Sequence, residues 1–293
     1  MSLIVGQYRV DVVDTGSFAL DGGAMFGVVP KPLWERSYTT PDNRNRIPMV
    51  ARCLLLRSDD YVILVDTGNA LHMSSKLRDI YAVDDTVSSL DASLSSLGVS
   101  PASVTHVVLT HLHFDHAGGT VIPSGSGFRP RFASARHIVQ EEHLRWAESP
   151  TEKDRASFFP ETWRTLDEYQ LLDVIDGDGE ILPGLHVERL YGHTAAMQSV
   201  TVHDEHTPLL FAADLIPTGA HVPVSYGMGY DNEPLRTISE KKRLLPLAVE
   251  GNWTVVFEHD ALRQAARIIS SERGFSLGEE IVVTEQIIRS NDA

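Results

Sequence analysis

The chain is short of three things, and each shortage excludes something. It has one cysteine, Cys53, in 293 residues, so an internal disulfide and any cysteine-built zinc site are ruled out. No run approaches 18 consecutive apolar residues, so no segment is expected to cross a membrane as a helix. Basic residues are few: 25 Lys and Arg against 40 Asp and Glu give a formal net charge of −15. Nucleic acid and anionic membrane surfaces both require positive patches, so neither is expected as a partner. Acidic substrates stay open, because bound metal ions add local positive charge that the formal count ignores. Met1 to Asp11 hold no basic stretch followed by an apolar one, so no secretory leader is expected and the expected compartment is the cytoplasm.

What is present fits a soluble globular chain, with 42% hydrophobic and 8% aromatic residues. Tyr8 to Val13 reads as a strand. Gly22 to Pro48, punctuated by Pro30, Pro32, Pro41 and Pro48, reads as a long ordered loop or hairpin, since it carries Met25, Phe26, Val28, Val29, Leu33 and Trp34. Loops of this length are usually functional, so residues 17–48 are expected to border the site. Met49 to Leu56 and Tyr61 to Val65 form two strands around the turn Arg57 to Asp60. Val87, Leu90, Leu94 and Leu97 predict a helix over 86–97, stopped by Gly98. Thr105 to Thr110 is a β-branched strand. Helices are expected over Ala135 to Ala147, Glu161 to Leu171, Thr237 to Val249 and Ala261 to Ile269, with a turn-rich stretch from Leu171 to Pro183. Strands are expected over His186 to Tyr191, Gln198 to His203, Leu209 to Ala213 and Trp253 to Phe257. Alternating strands and helices without a low-complexity linker imply one α/β layered domain over 1–293.

Thirteen histidines are the unusual count. The strand 105–110 runs into His111-Leu112-His113-Phe114-Asp115-His116-Ala117-Gly118-Gly119. Alternation puts His111 and His113 on one side, where both can reach one ion, and a turn at Asp115 and His116 can direct ligands to another. Imidazole and carboxylate suit zinc or a similar borderline cation. Three other strands end the same way: before His193, at Asp214, and before Glu258-His259-Asp260. Ligand groups in open α/β folds gather where strands end. Five histidines and two aspartates suffice for two metals with one carboxylate between them. His72, His106, His137, His143, His186, His203 and His206 are read as surface or structural.

The motif His111-x-His113-x-Asp115-His116, with His193, Asp214 and His259, resembles the metallo-β-lactamase superfamily over roughly Met49 to Asp260. The resemblance implies a four-layer αββα sandwich with a dinuclear site at one edge of its sheets. It implies that His111, His113 and His193 hold one ion, that Asp115, His116 and His259 hold the other, and that Asp214 bridges them. Asp66, in the Val-Asp-Thr-Gly that follows a strand, would orient ligands from behind; the duplicate at Asp14 is assigned to a turn. Two divalent ions are implied, zinc first, with iron, manganese and cobalt as alternatives. They would present a hydroxide and polarise the electrophile, with Asp115 steering the nucleophile or passing a proton.

Other residues narrow the branch. Asp21 to Lys31 and Ala213 to His221 resemble the quorum-quenching N-acyl-homoserine lactonases, within a branch that also holds methyl-parathion-type phosphotriesterases. A small lactone or ester is the expected substrate, with phosphotriesters and thioesters as alternatives. The well-known lactonases carry a tyrosine soon after the bridging aspartate, where this chain has Pro217 and Thr218. His221, Tyr226 or Tyr230 is a candidate to replace it, with packing or pocket wall as the alternative for each, and His221 is taken as the second catalytic candidate. Met25, Phe26, Trp34, Tyr226 and Tyr230 are the expected pocket, and exposed apolar loops of this kind also serve homodimer contacts. Two readings of another class remain: a mononuclear iron oxidoreductase, and a metal-binding module without catalysis.

Overall fold

Residues 53–56 show how the layers arise. Cys53 and Leu55 join one buried cluster while Leu54 and Leu56 join another, because successive strand side chains point to opposite faces. The structure, a computed structural model, describes residues 2–284; Met1 and the last residues of the expected 1–293 domain lie outside the described residues. The strands in chain order are β1 (Leu3–Val5), β2 (Tyr8–Asp21), β3 (Arg46–Arg57), β4 (Val62–Val65), β5 (His106–Val108), β6 (Val121–Ser124), β7 (Gly127–Pro130), β8 (Arg136–Gln140) and β9 (Leu172–Ile175). They continue with β10 (Gly179–Leu182), β11 (Leu185–Leu190), β12 (Met197–Val202), β13 (Leu209–Phe211), β14 (Thr254–Val256), β15 (Ala265–Ser271) and β16 (Gly274–Ile281). The helices are α1 (Gly22–Phe26), α2 (Lys31–Ser37), α3 (Ser75–Ile80), α4 (Leu90–Ser96), α5 (Glu141–Glu148), α6 (Glu161–Glu168) and α7 (Pro234–Glu250).

Two seven-stranded sheets carry the architecture, in the orders β1-β2-β3-β4-β5-β8-β9 and β10-β11-β12-β13-β14-β15-β16, with β6 and β7 as a separate hairpin. One apolar cluster joins Val10, Leu54, Val65 and Val108 of the first sheet to Val187, Val200, Leu210 and Val255 of the second, and extends to Leu244 and Leu245 of α7. A second cluster covers the outer face of the first sheet with Leu90 and Leu94 of α4, Ala147 of α5, and Trp163 and Leu166 of α6. The layers therefore run helix, sheet, sheet, helix, the αββα sandwich that the motif implied. Among the described residues no helix is long and apolar enough to cross a membrane.

Several local expectations are corrected. Residues 136–140 form β8, and the helix expected from Ala135 begins at Glu141. The run His-Ile-Val-Gln is buried between parallel neighbours β5 and β9, and burial on both faces erases the alternation that marks a strand. The helix expected over 261–269 is instead a turn followed by β15, paired with β14 and β16. The turn-rich stretch 171–183 holds β9 and β10, which lie in different sheets. Within 22–48, two short helices replace the loop, the first capped by Asp21 Oδ1 accepting from the Ala24 N–H at 2.8 Å. Asp14 lies inside β2 rather than in a turn, and its carboxylate accepts from Arg52 Nε at 2.9 Å.

Candidate metal centre

The end of β5 opens the site. After Val108 the chain turns through Thr110 to His116 and returns along Gly118 and Gly119 beneath the loop 66–70. A Cβ on Gly118 would sit 2.0 Å from the Ala70 nitrogen, and one on Gly119 would sit 2.2 Å from the Thr67 carbonyl. Only glycine permits that approach, which explains the small residues directly after the histidine cluster. Asp66 holds the turn with φ at 59°, a costly backbone for a non-glycine residue. Its carboxylate offsets that cost by accepting from Thr110 N–H at 2.8 Å and Thr110 Oγ1 at 2.6 Å.

All seven expected ligand residues converge, each at most 7% exposed. His111 Nε2 lies 3.1 Å from His113 Nδ1, and His193 Nε2 lies 3.2 Å from the same atom. His116 Nε2 and His259 Nε2 are 3.2 Å apart. Asp214 lies between the groups: Oδ2 is 3.2 Å from His193 Nε2, and Oδ1 is 3.1 Å from His259 Nε2. Asp115 approaches less closely, 3.8 Å from both His116 and His259 Nε2.

Hydrogen bonds behind four of the rings orient them. Thr110 gives its hydroxyl proton to Asp66, so it accepts from His111 Nδ1–H at 3.0 Å. His193 Nδ1–H donates to Asp231 Oδ1 at 3.2 Å, and His259 Nδ1–H to the Val50 carbonyl at 3.0 Å. His116 Nδ1 lies 3.1 Å from Asp66 Oδ2. The Nε2 atoms of these four rings therefore face inward, and His113 turns Nδ1 to the same point while its buried Nε2 has no partner among the described residues. Ring nitrogens only 3.1–3.2 Å apart, at most one of each pair donating, suit a shared cation. Tetrahedral imidazole ligation at about 2.0–2.1 Å sets nitrogen–nitrogen edges of roughly 3.3–3.4 Å, close to these spacings. The residues therefore fit two cations joined by Asp214.

The electrostatics differ between the halves. Burial, then the neighbouring imidazoles, holds His111 and His113 well below the usual histidine range, which keeps them neutral. Burial alone would raise the Asp214 carboxyl, but the facing His259, His193 and His116 outweigh it and hold the group well below the carboxylate range. In the other half burial opposes protonation of His116 and His259, yet carboxylates prevail. Glu258, Asp115 and Asp214 raise His116, while Asp214 brings His259 to about 9. A divalent cation there displaces protons, so loading releases them.

The other expected residues are placed less simply. His221 is fully buried: Nδ1 meets Thr218 Oγ1 at 2.8 Å, Nε2 meets the Met25 carbonyl at 2.8 Å, and the ring stacks on Phe26 at 4.5 Å. Both nitrogens are committed, so its expected catalytic place is corrected to that of a pin holding α1. Met25, Phe26 and Trp34 are at most 1% exposed and pack on one another, with Phe26 and Trp34 stacked at 5.4 Å; they are the packed interior of the α1–α2 segment, not open lining. Tyr226 packs edge-on to Phe26, and its carbonyl accepts from Lys241 Nζ at 2.8 Å. Tyr230 keeps 37% exposure, and burial together with Tyr81, Asp21 and Asp115 pushes its phenol up.

Four residues that the sequence reading did not single out support the centre. Thr110 and Asp231 orient His111 and His193. Glu258 lies behind His116. Tyr81 stacks on Phe114 at 4.9 Å, with Asp115 adding to the burial that raises its phenol. His143, expected to be structural or superficial, ties the loop together by accepting from Leu112 N–H at 2.8 Å and donating to the Ala195 carbonyl at 2.7 Å. Thr110 and Glu258 adjoin ligands in sequence, which is the signal that marks them. Asp231 lies 38 positions from His193, so nothing local marks it.

With this geometry in place, known proteins give context. The family model described as Metallo-beta-lactamase superfamily matches residues 46–259. An N-acyl homoserine lactonase from Bacillus sp is 27% identical over 247 residues, 78% of this chain and 86% of its own length. A solved probable metal-dependent hydrolase from Staphylococcus aureus is 27% identical at a TM-score of 0.84, covering 96% of this chain and 100% of its own. The solved dizinc quorum-quenching lactonase AidC, in complex with a product, has a TM-score of 0.80 over 97% of this chain and 98% of its own; at 17% identity that likeness concerns the fold.

Proposed function

The chain belongs to the metallo-beta-lactamase superfamily, and from that premise we propose that it is a hydrolase that opens a lactone or cleaves a related small ester with two divalent cations. One observation carries the reading: two buried sets of imidazole nitrogens lie on either side of Asp214. His111, His113 and His193 would hold one ion; Asp115, His116 and His259 would hold the other; Asp214 would touch both. Zinc suits these nitrogen and carboxylate donors best. Bound there, the ions supply a water reactive near neutral pH and polarise the ester carbonyl.

The chain's own residues do the rest. Asp214 fixes the spacing of the two halves, and Thr110, Asp231, Asp66 and the Val50 carbonyl hold the rings so that no ligand reorganises during turnover. Asp115 stands farther from the imidazoles than Asp214 does, at 3.8 Å, so it would be placed to take a proton from the attacking water and return it to the leaving ring oxygen. Tyr230, exposed and in the field of Asp115, would face the substrate. The lactone choice draws support from the relatives named N-acyl homoserine lactonase at about 27% identity.

The test joins metal analysis to a substrate panel. Two ions per chain are expected, with lactone opening, followed by a pH indicator, exceeding turnover of aryl phosphotriesters and thioesters. Asp214→Ala should lose turnover by at least a thousandfold and retain less than one ion per chain. One ion per chain in the wild type would favour the iron oxidoreductase alternative, and dominant phosphotriester turnover would replace the lactone assignment.

A further inference from the structure

We propose that Glu258 is a positioning residue for the second cation: its carboxylate backs His116 at Nδ1 and strengthens this half of the centre relative to the other. The inference rests on the two-cation reading above. Glu258 Oε1 lies 3.0 Å from His116 Nδ1, and its side chain is fully buried. That nitrogen is on the opposite side of the ring from Nε2, the atom that meets Asp214 at 3.6 Å and His259 at 3.2 Å. Asp115, 3.8 Å from Nε2, occupies the ligand side. The two acids thus divide the ring between them: Asp115 shares the ion with His116, and Glu258 works through the imidazole.

Asp66 also reaches this Nδ1, at 3.1 Å, but it is engaged by both donors of Thr110. Glu258 differs, because among the described residues neither of its buried oxygens has a hydrogen-bond partner, and His116 Nδ1 at 3.0 Å is the polar atom beside it. Burying a carboxylate without a compensating charge is unfavourable. Its place is nonetheless fixed, since Arg52 N–H donates to the Glu258 carbonyl at 3.0 Å. A cation bound beyond His116 would supply that charge. The charge distribution agrees: among the described residues Asp115, Asp66 and Glu258 lie about the second half, whereas Asp231 is the carboxylate in direct contact behind the first, with Asp214 common to both. Carboxylates behind metal-bound histidines typically contribute 10–100-fold to metal affinity.

Apoprotein prepared with a chelator, then titrated with Co²⁺ against a competing chelator, reads both binding constants through visible absorbance and metal analysis. In E258Q the second constant should weaken 10–100-fold while the first stays within threefold, and E258D, which keeps the charge, should recover part of the loss. Equal weakening of both constants in both variants would mean a general structural role and overturn the proposal, as would unchanged constants. A wild type that takes up two ions alongside an unaffected E258Q sinks this inference alone. A wild type that takes up a single ion sinks the two-cation reading and this inference with it.

Discussion

Asp231 accepts from three donors: His193 Nδ1 at 3.2 Å, Thr237 Oγ1 at 3.0 Å and Met228 N–H at 3.1 Å. It sets the His193 ring and fastens the segment 228–237 in one step. Asp231→Asn keeps the shape but replaces one acceptor oxygen with a donor. We expect it to weaken the first cation 10–100-fold and lower turnover by a similar factor, with far-ultraviolet dichroism unchanged. Metal content after dialysis against a weak chelator checks it; full occupancy in the variant would show that His193 needs no such partner. The candidate ligands could be picked out because their types and spacing are local, and the fold brings them together. Their supports could not be picked out. Asp231 and Thr110 carry no chemistry until the fold sets them against an imidazole. His221 shows the opposite failure: a histidine near a site in sequence is spent on a carbonyl in space.

Among the elements, β3 reaches the loop after β14 by backbone bonds from Val50 and Arg52 and by one charged side chain. Arg52 is 3% exposed and sits beside Asp14. Its Nη1 lies within 2.7–3.0 Å of the carbonyls of Phe257, Asp260 and Arg263. The loop carrying Glu258 and His259 thereby hangs from the first sheet although β14 belongs to the second. Arg52→Met should destabilise the protein by about 3 kcal/mol, because buried carbonyls lose a charged donor. The expected observation is a lower denaturant midpoint with an unchanged m-value, together with partial loss of the second cation. A midpoint equal to the wild type would mean that the loop holds itself. The first Val-Asp-Thr-Gly makes sense here, since Asp14 belongs to this connection. The elements misread from sequence, β8 and β15, share a cause. Their residues are apolar on both faces or alternate weakly, and only pairing with neighbours decides between strand and helix.

For the whole molecule, buried neutral histidines set the acid limit. Burial lowers His137, His143 and His221 to about 4 each, below the ordinary value of 6.5. Between those values the unfolded chain binds protons that the folded chain refuses, so the stability these groups contribute is complete above pH 6.5 and is lost as pH falls towards 4. Each shift corresponds to an upper bound of ~3 kcal/mol. The melting temperature should therefore fall steeply between pH 6.5 and 4.5, and less steeply in His137→Phe, which removes one titrating ring distant from the metal ligands. Parallel wild-type and variant curves would place the acid sensitivity elsewhere.

Read alone, the chain made the αββα fold legible through a family resemblance and marked a candidate ligand set. Both rest on a short-range pattern, the histidine and aspartate motif and the donor types clustered where strands stop. The tertiary structure alone decided which acid backs which imidazole, how the α1–α2 segment closes on His221, and how Arg52 suspends a distant loop. Those choices depend on residues separated by tens to hundreds of positions, whose meeting is fixed by the packing of two sheets and not by any pattern along the chain.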